Sequence, residues 1–108
     1  MDLADEVYRL TKAFPHEEKY ALTDQLHRAV VSIPSNIAEG KGRTSLAEYL
    51  HFLSIAKGSL YEVETQLLLA IRFAYISKER AQKALDLREE ISKMLSALIT
   101  KLRQSIQP

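Results

Sequence analysis

Two short patterns have the residue types and spacing for metal chemistry. Glu48-Tyr49-Leu50-His51 is an E-x-x-H, and Asp24-Gln25-Leu26-His27 is a D-x-x-H. On a helix, an acid three residues before a histidine shares its face and can share a metal ion. A di-metal carboxylate centre needs two such motifs plus a carboxylate from each of two further helices, all at one level of a bundle. A third pattern, Gly40-Lys41-Gly42-Arg43-Thr44-Ser45, leads into a helix N-terminus, where free amides can hold a phosphate. Its spacing is not that of a P-loop, and a glycine ending one helix before a serine starts the next accounts for it. No serine has the setting of a nucleophile elbow, and His16 lies in a connector beside acids.

These patterns depend on the elements that carry them. The chain has three glycines, three prolines and almost no alternating pattern, which predicts an all-helical domain. Helix 1 is expected over Asp2 to Phe14, with Leu3, Val7, Leu10 and Phe14 inward and Asp5, Glu6, Arg9 and Lys12 outward. Pro15 disfavours helix at the residue before it, so the helix should stop there. Helix 2 is expected from a Thr23 N-cap, with an apolar stripe of Leu22, Leu26, Ala29, Val30, Ile33 and Ile37. Pro34 lies inside that stripe, which resumes in phase after it, so a kink is expected rather than a stop. Small residues, Ser32 and Ser35 with Asn36 beside them, let another backbone approach. Gly40 is expected as the C′ residue that ends the helix, with Glu39 pairing to Arg28 or Arg43.

Helix 3 should start at the capping box Ser45-Leu46-Ala47-Glu48 and run to about Ala74. Gly58 interrupts it and is expected to mark a close contact with a neighbouring backbone. Helix 4 should run from a Ser77 cap to about Ser105, lined by Ala84, Leu87, Ile91, Met94, Leu95, Leu98, Leu102 and Ile106. Short connections favour antiparallel neighbours. The fold class is therefore all-α, an antiparallel up-and-down four-helix bundle formed by a single domain, residues 1–108.

Lengths expose a mismatch. At 1.5 Å per residue, helices 3 and 4 reach about 42 Å each, while helices 1 and 2 reach only about 20 and 26 Å. The second half of helix 3, Leu67-Leu68-Leu69-Ala70-Ile71 and Phe73, is apolar nearly all round. A helix apolar on every side is buried on every side. Either a second subunit covers Leu68, Leu69 and Phe73, or helix 2 starts earlier, near Glu17, and does the covering itself.

The same architecture decides against the metal reading. Both acid–histidine motifs begin their helices, and those helices are antiparallel, so the motifs lie roughly 20 Å or more apart. No catalytic, metal or cofactor-binding residues, and hence no cofactor or small-molecule substrate, are expected. The surviving functional candidates are cations: Arg28, Lys41, Arg43 and Lys57, expected around the helix 2–3 turn and the adjoining face of helix 3. Repeated around an oligomer they would form a positive rim able to contact phosphates. The formal net charge is only +1, less basic than a dedicated nucleic-acid module, so any such contact rests on where the charges lie. There is no cysteine, the acidic start Met1-Asp2-Leu3-Ala4-Asp5-Glu6 is unlike a signal peptide, and the longest apolar run is far short of a membrane span. A cytoplasmic protein with no membrane partner is expected.

The chain also resembles a known family. The residues that carry the resemblance are Phe14-Pro15, Glu18, Leu22-Thr23, Gln25-Leu26, Arg28-Ala29, the run Ser32 to Gly40, and Arg43. Tyr49, Phe52-Leu53, Ile55-Ala56, Gly58-Ser59, Glu62 and Glu64-Thr65 complete it, whereas His51 and Lys57 fall where the pattern is loose. The family is that of proteins encoded in intervening sequences of 23S ribosomal RNA genes, also labelled S23 ribosomal proteins. The resemblance implies a closed four-helix bundle without known enzymatic activity that forms homopentamers. A related branch, the accessory variability protein of diversity-generating retroelements, binds reverse transcriptase and nucleic acid through a basic surface. The resemblance thus implies a binding or scaffold module for RNA, DNA or a nucleic-acid enzyme; a protein–protein adaptor without nucleic-acid contact is the alternative.

Overall fold

In the computed structural model, residues 1–105 are described, apart from the side chains of residues 18–20; the expected inward Ile106 lies outside them. Four helices make up the bundle: α1 (Asp2–Thr11), α2 (Asp24–Lys41), α3 (Leu46–Arg72) and α4 (Lys78–Ser105). α3 packs against both α2 and α4, while α1 bridges α2 and α4. The molecule is long and thin, 52 × 24 × 19 Å. No helix is long and apolar enough to cross a membrane among the described residues.

The apolar seams read from helical spacing form the core, except that Met94, expected to line α4 inward, is 72% exposed. Leu3, Val7, Leu10 and Phe14 are buried from α1 and its exit, together with Leu26, Ala29, Val30 and Ile33 from α2. α3 contributes Leu53, Ala56, Leu60, Val63, Leu67 and Ala70; α4 contributes Ala81, Ala84, Leu95 and Ile99. Glu6 departs from expectation: it is buried, not outward, and is held by Arg9 at 2.7 Å.

Boundaries differ where backbone chemistry intervenes. α1 ends at Thr11, and the next turn tightens, with Ala13 N–H donating to Leu10 and Phe14 N–H to Thr11, before Pro15 removes the next donor. Thr23 is not an N-cap. It has helical φ and ψ and no side-chain cap bond, because a 3₁₀ turn (His16–Glu18) and a π turn (Lys19–Thr23) lead straight into α2. The helical path therefore starts near Glu17, as the alternative required. Even so, Leu68 and Phe73 remain 52% exposed and Leu69 36%.

α2 continues through Pro34 without a stop, and Pro34 lies on its exposed side. Of the small-residue stripe, Ser32 and Asn36 are partly buried toward α3, while Ser35 is exposed. Asn36 Nδ2 donates to the Ser32 carbonyl and to Ser32 Oγ, both at 2.8 Å, and Ser59 Oγ on α3 lies 2.9 Å from Ser32 Oγ. α3 starts as its sequence dictates, with Ser45 Oγ accepting from Glu48 N–H at 3.1 Å. It ends in a Schellman motif: Tyr75 N–H donates to Ala70 and Ala74 N–H to Ile71, with Ala74 left-handed at φ 61°. Ser77 caps α4 through Arg80 N–H.

The two motif glycines trade roles. Gly40 is not a C′ residue, since α2 runs on to Lys41 and no glycine has positive φ. It is buried where α2 crosses α3: a Cβ there would lie 2.9 Å from Phe52 Cβ and 3.0 Å from Tyr49 Cδ1. Gly58, expected at a close contact, is exposed, and a Cβ there would meet nothing within 4 Å. The close approach is at Gly40; Gly58 faces out.

Candidate interaction surfaces

Antiparallel packing fixes how far apart the four nominated cations lie. Lys41 and Arg43 sit together at the α2–α3 turn. Arg28 is thirteen residues back along α2, about 20 Å away by helix rise, and is paired to Asp24 at 3.0 Å. Lys57 lies more than two turns into α3 and is half-buried. Arg43 is itself engaged, paired to Glu39 and lying over the Phe52 ring at 4.8 Å. The expected Glu39 pair thus forms with Arg43, and it is exposed. The structure does not gather the four around one turn.

Two further cations lie at the level of that turn. Arg88 on α4 reaches the Leu60 carbonyl on α3, which sets the register of the antiparallel pair. Counting from that contact in opposite directions brings the last turn of α4, with Lys101 and Arg103, beside the start of α3. Lys41, Lys101 and Arg103 make no ion pair among the described residues. The phosphate-cradle pattern loses donors: Gly42 N–H donates to Ala38 and Glu39, and Arg43 N–H to Gly40, so these amides cap α2 instead.

The acid–histidine motifs stay apart. His27 is built into the packing of α1 on α2: its ring stacks on Tyr8 at 3.8 Å, and Nε2 lies 2.8 Å from Thr11 Oγ1. Thr11 Oγ1 donates to the Tyr8 carbonyl, which leaves Nε2 as the donor to Thr11. Burial pushes the His27 imidazole below its usual range, partly offset by Asp24. Glu48 and His51 are exposed at the other end of the bundle. Among the described residues no group of three or more His, Asp or Glu is placed to hold a metal ion.

Arg88 is the polar residue that periodicity did not single out. It is buried on the α3 side of α4, and Nη1 donates to the Leu60 carbonyl at 3.3 Å. Nη2 pairs with Glu64 at 3.2 Å and Glu89 at 2.8 Å, and the guanidinium lies over the Tyr61 ring. It fastens α4 to α3.

The largest unexplained surface is apolar. The outer side of α3 presents Ile55, Gly58, Tyr61, Thr65, Leu68, Leu69 and Phe73, recurring at three- and four-residue spacing. Tyr61, Leu68 and Phe73 are each more than half exposed. Val31 on α2 and Met94 on α4 are exposed as well, Met94 at 72%.

Comparison with known proteins places this geometry. The profile of the 23S rRNA-intervening sequence proteins matches residues 1–97. A similar solved structure is a protein of unknown function from the S23 ribosomal protein family of Bacteroides thetaiotaomicron. It is 31% identical, aligns over 91% of this chain and 92% of its own, and superposes with a TM-score of 0.82. No curated protein matches the chain.

Proposed function

The chain belongs to the 23S rRNA-intervening sequence protein family, and from that premise we propose that it is a cytoplasmic, non-catalytic scaffold that works as a homo-oligomer. One observation carries this reading. The outer face of α3 exposes Tyr61, Leu68, Leu69 and Phe73 as one strip, on a helix whose inner face is already filled by its own chain. A contiguous apolar strip of this kind marks an interaction site rather than ordinary surface. A ring of five is the assembly that the family resemblance implies. Light scattering across a concentration series tests the reading. Wild-type protein should have the mass of a defined oligomer, and Leu68→Glu with Leu69→Glu should reduce it to a folded monomer. A wild-type monomer overturns it.

Nucleic-acid contact is the second reading. It is supported by the meeting of Lys41, Arg43, Lys101 and Arg103 at one end of the bundle, three of them without an ion-pair partner among the described residues. Oligomerisation would multiply that end into an extended basic surface for RNA, DNA or a nucleic-acid enzyme. Against it stands the self-pairing of Arg28 and Arg43, which leaves the adaptor reading the stronger of the two. Binding of RNA or single-stranded DNA that weakens steeply with added salt supports the contact. No binding at low salt removes it and leaves the scaffold intact.

A further inference from the structure

α1 lies diagonally across the bundle from α3, because each of them packs against α2 and α4. The face that α1 and α2 share is therefore turned away from the outer strip of α3. It has apolar surface of its own. Tyr8 stacks on His27 and is 45% exposed, and Val31, one turn beyond His27 on α2, is exposed to the same extent. Pro34 continues that row and is exposed. Where α1 gives way to α2, an open cleft of about 310 Å³ is lined by Thr11, Lys12, Phe14, Pro15, His16 and Thr23.

We propose that this α1–α2 face, with its cleft, receives the outer strip of α3 from a second copy of the chain. The inference rests on the self-association reading and names what the strip docks against. Level and charge decide the occupant. Ser59 on α3 meets Ser32 on α2, which fixes their antiparallel register. Counted in opposite directions from that contact, Gly58 comes level with Pro34, Tyr61 with Val31, Glu62 with Arg28 and Leu68 with Thr23, each to within about one residue. Phe14 touches Tyr75, so the Pro15 end of the cleft lies near the level of Phe73. A neighbour turned about an axis along the bundle keeps every residue at its own level. It therefore offers Val31 and Tyr8 to Tyr61, and the cleft to Leu68, Leu69 and Phe73. Gly58 leaves room for the Pro34 ring. Glu62 and Arg72 are exposed on the strip and make no ion pair among the described residues. The Arg28 side chain is 80% exposed and uses one nitrogen on Asp24, so it keeps donors for Glu62. Arg72 falls at the level of the turns before α2, where Glu17 is exposed. Laid the other way, the strip would set Glu62 by Glu17 and Arg72 by Arg28, like charge against like. Because the levels agree, the pairing needs no rise along the bundle, and a heterologous contact without rise closes into a ring.

The chain has no cysteine, so thiol crosslinking reads the pairing directly. Leu68→Cys and Thr23→Cys proteins, each verified as folded by circular dichroism and melting, are mixed, left to exchange and treated with a short bis-maleimide. The mixture should give a covalent dimer, and Leu68→Cys alone should not. Tyr61→Cys with Val31→Cys, both at exposed positions, repeats the test if Thr23→Cys unfolds. Crosslinking of Leu68→Cys alone means that like strips meet, and overturns the pairing. No crosslink in proteins that assemble like wild type overturns it too, while leaving self-association standing; a wild-type monomer instead overturns the self-association reading. Lys12→Glu with Val31→Glu, both exposed, should give a folded monomer by light scattering, as the strip variant does, and assembly like wild type overturns the face assigned here. Glu62→Lys and Arg28→Glu should each weaken assembly about threefold per contact, and together they should restore it. Effects that merely multiply overturn the direction assigned to the strip.

Discussion

The two halves of this bundle share α2, α3 and α4 and differ in whether α1 is present. Where α1 lies, the α2 and α4 faces around His27 and Leu87 are closed, and Leu3, Val7 and Leu26 are fully buried. Beyond its start at Asp2, α2, α3 and α4 still bury Leu53, Leu95 and Ile99, but Met94 on α4 is open to water. The contrast is sharpest between Leu26 and Met94. Leu26→Ala should cost the folded monomer about 3 kcal/mol, the usual penalty for a cavity in a closed core. Met94→Ala should cost about 0.5 kcal/mol or less. Urea denaturation at concentrations below assembly measures both, and equal losses would mean that Met94 is packed as tightly as the core.

The glycines make the same comparison across α3. Gly40→Ala drives a Cβ to 2.9 Å from Phe52 Cβ, which cannot swing away as a side-chain tip would, so α2 and α3 must separate. The expected loss is about 2 kcal/mol. Gly58→Ala meets nothing within the monomer and should stabilise it by up to about 1 kcal/mol through helix propensity. Measured on the oligomer, Gly58→Ala should reverse sign and weaken assembly. Stabilisation in both states would exclude Gly58 from an interface.

Arg88 separates a fastened edge of α3 from the open one. Arg88→Met removes its bonds to Leu60, Glu64 and Glu89 but leaves carboxylates that water can reach, so the loss should be about 2 kcal/mol rather than that of a fully buried pair. Thermal melting of this variant beside Met94→Leu, which should be near neutral, checks the contrast.

Spacing was enough to read most of the core and the caps of α3 and α4, because Leu3, Leu26, Leu60 and Leu95 obey the helical period and Ser45 and Ser77 stand before their helices; it misplaced caps at Thr23 and Gly40, where the helix simply continues. It could not tell Gly40 from Gly58. Both interrupt apolar helices, and only the crossing of α2 over Phe52 decides which one needs its missing side chain. Arg88 escaped for a related reason: periodicity assigns an arginine to water, and the partners that draw it inward, Leu60 and Glu64, lie on α3, 24 and more residues away in sequence. The basic residues looked clustered because Lys41, Arg43 and Arg28 are near in sequence. Helix rise carries Arg28 away, and antiparallel packing brings in Lys101 and Arg103 from the far end of the chain. The exposed strip was legible from composition alone, since Leu67 to Ile71 has no polar side to turn outward.

The smallest expected effect concerns how firmly α1 is held on the closed half. His27 is packed between Tyr8, Thr11 and the α2 backbone, with Asp24 one turn before it and Arg28 next in sequence and turned toward Asp24. Burial lowers its folded-state pKa, so the neutral ring is the form that fits. A base with a folded pKa below its unfolded value binds fewer protons when folded. Its contribution to stability is therefore present above the unfolded pKa of about 6.5 and is lost as pH falls through the folded value. Protonation costs no hydrogen bond to Thr11, since Nε2 is already a donor; the penalty is desolvation of charge, opposed by Asp24. Stability should decline modestly from pH 7 toward pH 5, and His27→Gln, which keeps a donor for Thr11 but does not titrate, should flatten that part of the profile. An unchanged slope in His27→Gln would assign the decline to carboxylates instead. Asp24→Asn removes the opposing charge and should steepen the decline, which separates the two contributions.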